Sequence, residues 1–258
     1  MTGILADEIL QPGAGRIRAL INDGGGIANA VPDQKKIVRA LRDLELLVSI
    51  EPFMTPTAQL SHYILPPKMQ YERADFPMFL YESMIYPEPY TRYTPPILPL
   101  PSGAELVDDW YVFYRTAQLM NLAIDYDGTP LDMQNTPRTD DLLRVIAKRA
   151  PRPFEEIRAA ELGITFEELA QTVQPADADA ADKFTVMPAD VAAELEALAR
   201  EPLDSGVRMR NGARATHRLA VRRTRDMYNS TGHFVATIKK RMPYNSAYLH
   251  PDDMAALG

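Results

Sequence analysis

A run of glycines near the N-terminus is the first group of residues whose spacing suits chemistry. Gly24, Gly25 and Gly26 follow Asp23 at the end of an apolar segment. Because glycine has no side chain, the backbone N–H groups of such a run can approach a phosphate closely when the run joins a strand to a helix. The run therefore predicts a phosphate or nucleotide site, and its alternative is an ordinary turn.

Glu51 is the second candidate, because it directly follows the short apolar run Leu-Leu-Val-Ser-Ile at residues 46–50. Ligands of open α/β sheets bind beyond the carboxyl ends of the strands. A carboxylate in that position can accept two hydrogen bonds from a ribose, or from the N1–H and amino groups of guanine. The alternative is that Glu51 caps the helical segment that begins near Thr55.

The third candidate is the segment HRLAVRRTRDMYNSTG at residues 217–232. The guanidinium groups of Arg222 and Arg223 can form paired hydrogen bonds to phosphate oxygens. Asn229 and Ser230 offer short polar side chains in a turn, which suits a heterocycle with both donors and acceptors. The alternative for this segment is a surface turn.

Charge is distributed unevenly along the chain. The net charge is −7, yet residues 205–242 contain ten basic side chains and one acidic one, a local charge of +9. Such a segment predicts either an anionic partner or pairing with the protein's own acidic surface. Nucleic acid is disfavoured as the partner, because the chain as a whole is acidic and few aromatic residues alternate with the arginines.

Composition excludes several classes of protein. The 258 residues contain no cysteine, which rules out disulfides, thiol nucleophiles and cysteine-held iron–sulfur clusters within this chain. Four histidines without short spacing predict no metal site, and the absence of HExxH, GxSxG and P-loop patterns leaves no catalytic residue to assign. Without a signal-peptide pattern or a membrane-length apolar run, we expect a soluble cytoplasmic protein with no membrane partner.

The elements around the first two candidates follow the order of an α/β fold. Residues 16–22 predict a strand, and residues 31–44 predict a helix that buries Ile37, Val38, Leu41 and Leu44. Residues 46–50 and 63–65 predict two further strands, with a short helix capped by Thr55 between them. This alternation predicts a parallel sheet in a three-layer α/β domain.

The rest of the chain predicts mainly helices and coil. Residues 66–101 are rich in proline and tyrosine and predict a long ordered coil. Thr139 is expected to cap a helix over 139–149, and Thr165 with Glu168 to form a capping box. The sequence also predicts helices at 105–121, 189–200 and 251–257, an acidic linker at 174–183, and a strand at 218–223. The predicted domains are an α/β region at 1–150, a helical connector at 151–204 and a third region at 205–258.

Together these segments resemble the molybdopterin-dependent oxidoreductases of the dimethyl sulfoxide reductase type. The resemblance rests first on GRIRALINDGGG, followed by PDQKKIVRALRDLELLVSIEPFMTPTAQLSHYILPP and QYERAD. It rests secondly on HRLAVRRTRDMYNSTG, followed by MPYNSAYLHPDDMAALG. The first part is similar to that family's dinucleotide-binding α/β region, and the second to the start of its C-terminal double-psi β-barrel.

The resemblance implies a molybdopterin guanine dinucleotide cofactor. It implies that the glycine residues meet the cofactor, that the segment after the second strand faces its nucleoside, and that the basic segment faces its pterin. The implied cofactor-binding residues are Gly24, Gly25, Glu51, Thr55, Thr57, Arg222, Arg223, Asn229 and Ser230.

The sequence also departs from the family pattern. Gly26 and Ile27 stand where the family has Asn-Pro, and Glu51 stands where it has aspartate. The upstream molybdenum ligand of the family has no counterpart here, and the barrel is incomplete. We therefore expect an internal piece of a longer enzyme that is not catalytic alone, with a second polypeptide supplying the N-terminal half.

The incompleteness of the barrel gives a prediction about its packing. Residues 205–258 are expected to pack poorly by themselves, because an incomplete barrel leaves exposed edges. The alternatives to a partial oxidoreductase are a non-catalytic assembly subunit of the same descent and an unrelated α/β nucleotide-binding protein with a basic anion-binding segment.

Overall fold

The computed structural model describes residues 2–77, 87–172, 175, 177–181, 184–202, 212, 215–217, 219–227 and 232–258. The chain divides into two compact units, Met1–Val173 and Gln174–Gly258. None of the helices in these described ranges combines the length and hydrophobicity of a membrane span.

A three-stranded parallel sheet organises the N-terminal part of the first unit. Its strands are β1 (Ala19–Asp23), β2 (Leu46–Ile50) and β3 (Tyr63–Leu65), in the order β1-β2-β3. The pairs Asp23 with Ile50, and Ile50 with Leu65, show that the three strands end at the same level. The predicted strands and the coarse α/β class are therefore confirmed.

Three helices pack on one face of this sheet: α1 (Leu5–Leu10), α2 (Ile27–Ala30) and α3 (Gln34–Asp43). Asp33 precedes α3 in a left-handed conformation, and its carboxylate accepts a hydrogen bond from the backbone N–H of Lys36. The apolar spacing of α3 buries Ile37 and Leu41 completely against Leu47 of β2. The helix predicted at 31–44 is thus confirmed, with its apolar face inward.

The opposite face of the sheet is open along much of its length. Side chains alternate between the two faces of a strand, so Ile21, Tyr63 and Leu65 point away from the helices. These three residues expose 40%, 63% and 37% of their surface. On the same face the side chain of Ile50 in β2 is completely buried, so this face is covered towards the carboxyl ends of the strands. The third layer stays a prediction.

The rest of the first unit consists of short elements around a second core. Ala74, Phe76, Leu143, Ala147, Phe154 and Ile157 form this core. In chain order the elements are β4 (Tyr90–Thr91), α4 (Asp109–Leu119), β5 (Asp125–Tyr126), β6 (Thr129–Pro130), α5 (Thr139–Ile146), α6 (Phe154–Ala159) and β7 (Ile164–Thr165). Single 3-10 turns lie at Thr2–Ile4, Ala58–Leu60, Ala147–Arg149 and Glu167–Leu169.

The segment at 66–101 is mostly coil where the structure describes it, as predicted. It contains the two-residue strand β4, which pairs with β7, and it crosses the second core at Tyr93. The Tyr93 ring packs edge-on against Phe154, and its hydroxyl donates to Asp140 at 3.0 Å. Tyr81 and Tyr86 lie outside the described residues.

Two predicted helix caps are wrong. Thr139 is the first residue of α5 rather than its cap, and its hydroxyl donates to Asp108 and accepts from the indole N–H of Trp110. Thr165 lies in β7, whose pairing with β4 takes precedence over a capping box. In both places a long-range partner, which the local sequence does not reveal, binds the residue instead.

The second unit contains α7 (Ala189–Arg200), α8 (Ala236–Arg241) and α9 (Pro251–Leu257). These ranges confirm the helices predicted at 189–200 and 251–257. The strand predicted at 218–223 is wrong for residues 219–223, which are irregular because no strand pairs with them within the described residues. No described residue of this unit is buried. The barrel remains a prediction.

Asp141, in the first turn of α5, gives a prediction about stability. Its carboxylate accepts hydrogen bonds from the side chain and backbone N–H of Arg138, which together lower its pKa to about 2 from the ordinary 3.8. A pKa lowered by folding stabilises the fold above the unfolded-state pKa, and this stabilisation disappears as the pH falls towards 2.

We expect Asp141→Asn to lower the free energy of unfolding at pH 7 by about 0.5–1 kcal/mol, because the carboxylate is partly exposed and screened by solvent. Urea denaturation should show the difference from wild type narrowing between about pH 5 and pH 2. Glu161→Gln, an exposed control, should leave the stability unchanged. A difference that is the same at pH 3 and pH 7 would contradict the role given to Arg138.

Candidate functional site

Two loops leave the sheet side by side at the carboxyl ends of its strands. The glycine loop, residues 24–26, follows β1, and the Glu51 loop, residues 51–57, follows β2. The N–H of Gly24 donates to the carbonyl of Ile50 at 3.0 Å, and the N–H of Glu51 donates to the carbonyl of Leu65 at 3.2 Å. The strand register thereby brings Gly24, Gly25 and Glu51 to one edge.

The glycine loop depends on the absence of side chains. Gly24 has a φ of +60°, a left-handed conformation that favours glycine. A Cβ on Gly25 would collide with Oδ1 of the buried Asn22, whereas a Cβ on Gly26 would meet open space. The N–H groups of Gly25 and Gly26 donate to no acceptor within the described residues. The loop therefore presents backbone donors suited to an anionic acceptor.

Glu51 is 7% exposed at the start of its loop. One carboxylate oxygen accepts a hydrogen bond from the backbone N–H of Phe53 at 3.3 Å. The carboxylate thus stabilises its own turn, and the helical segment further along is capped by Thr55, whose hydroxyl accepts from the N–H of Ala58 at 3.1 Å. The predicted cap at Thr55 is confirmed.

Thr57 joins the Glu51 loop to the helix after the glycine loop. Its hydroxyl accepts a hydrogen bond from the N–H of Ala28 in α2 at 3.1 Å, and the residue is 1% exposed. Because this oxygen is buried and already bonded, Thr57 holds the two loops at a fixed separation.

A row of buried and half-buried polar side chains connects the end of β1 to the Glu51 loop, and the sequence reasoning missed it. The side-chain amide of Asn22 donates to the hydroxyl of Ser49 at 3.4 Å. Ser49 is 2.7 Å from the hydroxyl of Ser61, which donates to the carbonyl of Thr57 at 3.1 Å. The available signal was an uncharged polar residue at the fourth position of each strand, Asn22 in β1 and Ser49 in β2.

A charged group at the same end of the sheet was missed as well. Arg73 donates to the carboxylate of Asp109 at 2.6 Å. Burial raises the pKa of Asp23, the last residue of β1, and Asp109 raises it further while Arg73 opposes the change. No spacing in the sequence connects these residues, so only the fold reveals the group.

The second unit places the two predicted arginines together in one cavity of about 380 Å³. Arg222 and Arg223 line it with His233 and Asn245, and the guanidinium of Arg222 lies 5.4 Å from the ring centre of Tyr248. These neighbours fit an anion that carries a flat ring. The predicted residues Asn229 and Ser230 lie outside the described residues.

Comparison with known proteins gives partial likenesses. Over 105 residues, or 41% of this chain, the sequence is 30% identical to the probable oxidoreductase YyaE of Bacillus subtilis (strain 168). Acetylene hydratase from Pelobacter acetylenicus matches 47% of the chain with 24% sequence identity and a TM-score of 0.41. No protein-family model matches the chain.

These likenesses cover small parts of longer proteins. The matched residues amount to 15% of YyaE and 16% of the hydratase. Part of this chain is thus similar in sequence to a probable oxidoreductase, while a TM-score of this size does not establish a common fold.

The geometry of the glycine loop predicts different effects for two neighbouring substitutions. Gly25→Ala should lower the free energy of unfolding by about 1–3 kcal/mol, because the new methyl group collides with the buried Asn22 amide. Gly26→Ala is the matched control and should change stability by less than about 0.5 kcal/mol. The measurement is the urea midpoint of each variant, and equal midpoints would show that Asn22 does not support the loop.

Proposed function

We propose that this chain is part of a molybdopterin-dependent oxidoreductase and contributes to binding a molybdopterin guanine dinucleotide. The observation that carries the proposal is the meeting of the glycine loop and the Glu51 loop at the carboxyl edge of parallel strands. Ligands of open α/β sheets bind at such an edge. The sequence likeness to a probable oxidoreductase supports the same class of protein.

The chemistry of the first unit's loops fits the nucleotide end of this cofactor. The unpartnered N–H groups of Gly25 and Gly26 would donate to phosphate oxygens, next to the left-handed Gly24. The carboxylate of Glu51 would accept from the guanine or the ribose. Thr55 and Thr57 would hold the loop, since both hydroxyls already accept backbone hydrogen bonds.

The second unit would meet the pterin end. Arg222 and Arg223 share a cavity whose neighbours suit an anion with a flat ring, and Asn229 and Ser230 follow in the same segment. When bound, the cofactor supplies a redox-active metal. This chain's residues supply hydrogen-bond donors, positive charge and a carboxylate.

The chain would not complete a redox reaction alone. It contains no cysteine, so a thiolate ligand for the metal would come from outside these 258 residues. A second polypeptide carrying that ligand is the partner we propose. Turnover by the purified chain with a stoichiometric amount of bound molybdenum would contradict this part of the proposal.

Nucleotide preference separates the proposal from its alternative, an unrelated nucleotide-binding protein. Guanosine diphosphate, the probe for the nucleotide end, should bind the purified chain about tenfold more tightly than adenosine diphosphate if a carboxylate reads the guanine edge. Calorimetric titration measures both affinities. Equal affinities would favour the alternative, and binding of neither nucleotide would contradict a cofactor role for the glycine loop.

Glu51→Gln tests which residue gives this preference. The variant keeps the size of the side chain and removes the negative charge, so the guanine preference should fall towards unity while adenosine diphosphate binding changes little. Glu105→Gln, an exposed acid, is the control and should keep the preference. An unchanged preference in Glu51→Gln would exclude Glu51 as the nucleoside-binding residue.

A further inference from the structure

The first unit contains a cavity that the proposed cofactor site does not use. Its volume is about 440 Å³, and it lies among α4, α5 and the strands β5 and β6. Its walls are mainly aromatic and aliphatic, formed by Trp110, Phe113, Tyr114, Tyr126, Leu142 and Ile146. A cavity of this size and lining suits a small organic molecule with one flat ring.

Carboxylates outnumber cations around this cavity. Among the residues that the structure describes, Asp75, Asp108 and Asp109 line it together with one cation, Arg73. Arg73 pairs with Asp109 at 2.6 Å and lies 3.9 Å from Asp75, and Lys68 pairs with Asp108 at 3.0 Å. The three carboxylates and the two cations leave a net charge of −1. The partial positive charge at the N-terminus of α4 is smaller and does not cancel it.

The direction of one pKa shift agrees with this excess of negative charge. Burial raises the pKa of the Tyr126 hydroxyl, and the carboxylates of Asp127 and Asp75 raise it further. Only the contribution of the two carboxylates is specific to the sign of the charge, and that contribution would favour a positive group nearby.

Asp108 supplies an unsatisfied acceptor among the residues that line the cavity. The residue is 8% exposed, and its Oδ2 accepts hydrogen bonds from Lys68 and from the hydroxyl of Thr139. Its Oδ1 is buried and accepts no hydrogen bond from the described part of the chain. Leaving a buried charged acceptor without a donor is costly, so a ligand gains that energy when the Asp108 side chain turns towards the cavity and Oδ1 accepts its hydrogen bond.

We propose that this cavity binds a small aromatic ammonium compound. Its ring would pack against Trp110 and the neighbouring aromatic side chains, and its ammonium group would donate to Asp108. Aromatic faces attract cations as well as rings. Nε of Arg73 also has no acceptor within the described ranges, so a hydroxyl group beside the ammonium would improve the fit.

Three probes of the same shape and different charge test the proposal. They are 2-phenylethylamine, 2-phenylethanol and phenylacetate, titrated into the full chain. Trp110 is the chain's single tryptophan and lines the cavity, so its fluorescence reports occupancy directly. The cation should bind at least about tenfold more tightly than the neutral probe, and phenylacetate should bind most weakly.

Adding a hydroxyl group to the cationic probe tests whether Nε of Arg73 donates a hydrogen bond to the ligand. 2-Amino-1-phenylethanol should bind more tightly than 2-phenylethylamine. Equal affinity for the cationic and neutral probes, or a preference for phenylacetate, would overturn the proposal.

Substitutions of single carboxylates test which of them attracts the cationic probe. Asp108→Asn should weaken binding of 2-phenylethylamine about tenfold or more and leave binding of 2-phenylethanol nearly unchanged. Because Asp108 also pairs with Lys68, its substitution can disturb folding, and Asp75→Asn provides a second variant at a side chain that is 59% exposed.

Asp75→Asn should weaken binding of 2-phenylethylamine about two- to fivefold, because the variant loses one negative charge near the cavity. Glu8→Gln, on α1, removes the same charge away from the cavity and should have no effect. Folded Asp75→Asn protein that binds the cation as tightly as wild type would contradict the electrostatic basis of the proposal.

Discussion

The in-register pairing of three short parallel strands is the constraint on which the candidate site depends. Asp23, Ile50 and Leu65 lie at one level, so the loops that follow β1 and β2 start from adjacent points. A slip of one residue would turn Ser49 to the other face of the sheet and would separate the two loops along the strand axis. The completely buried Leu47 opposes such a slip, because its apolar surface is removed from water only in the observed register.

The buried polar residues add a second constraint on the same geometry. Asn22, Ser49 and Ser61 lie in one hydrogen-bonded row at the ends of the strands. Buried polar groups are tolerated when they are satisfied, and a satisfied network favours one arrangement over others. The row therefore helps to fix the Glu51 loop relative to β1 in a sheet for which the described residues form three strands, with one face open along much of its length.

Sequence periodicity could predict the parts of the fold that local patterns determine. The apolar run at 46–50 indicates a strand, and the apolar spacing of residues 34–43 indicates a helix. The structure has both elements at these positions. Long-range partners could not be predicted in this way. Thr139 bonds Asp108 and Trp110, and Arg73 bonds Asp109, across 29 to 36 positions of sequence. The caps predicted at Thr139 and Thr165 failed for the same reason, since a tertiary partner replaced the local one, whereas the local cap at Thr55 formed.

The two units differ in how firmly their proposed ligand-binding groups are held in place before the ligand binds. The glycine loop is held by a strand pair, by Asn22 and by Thr57, so its N–H groups need little ordering. The arginines of the second unit lie where no described residue is buried. Fixing a long flexible side chain there costs conformational entropy that the new contacts must offset. In the proposed function, the first unit therefore contributes more net affinity per contact, and the second contributes mainly when another surface orders it.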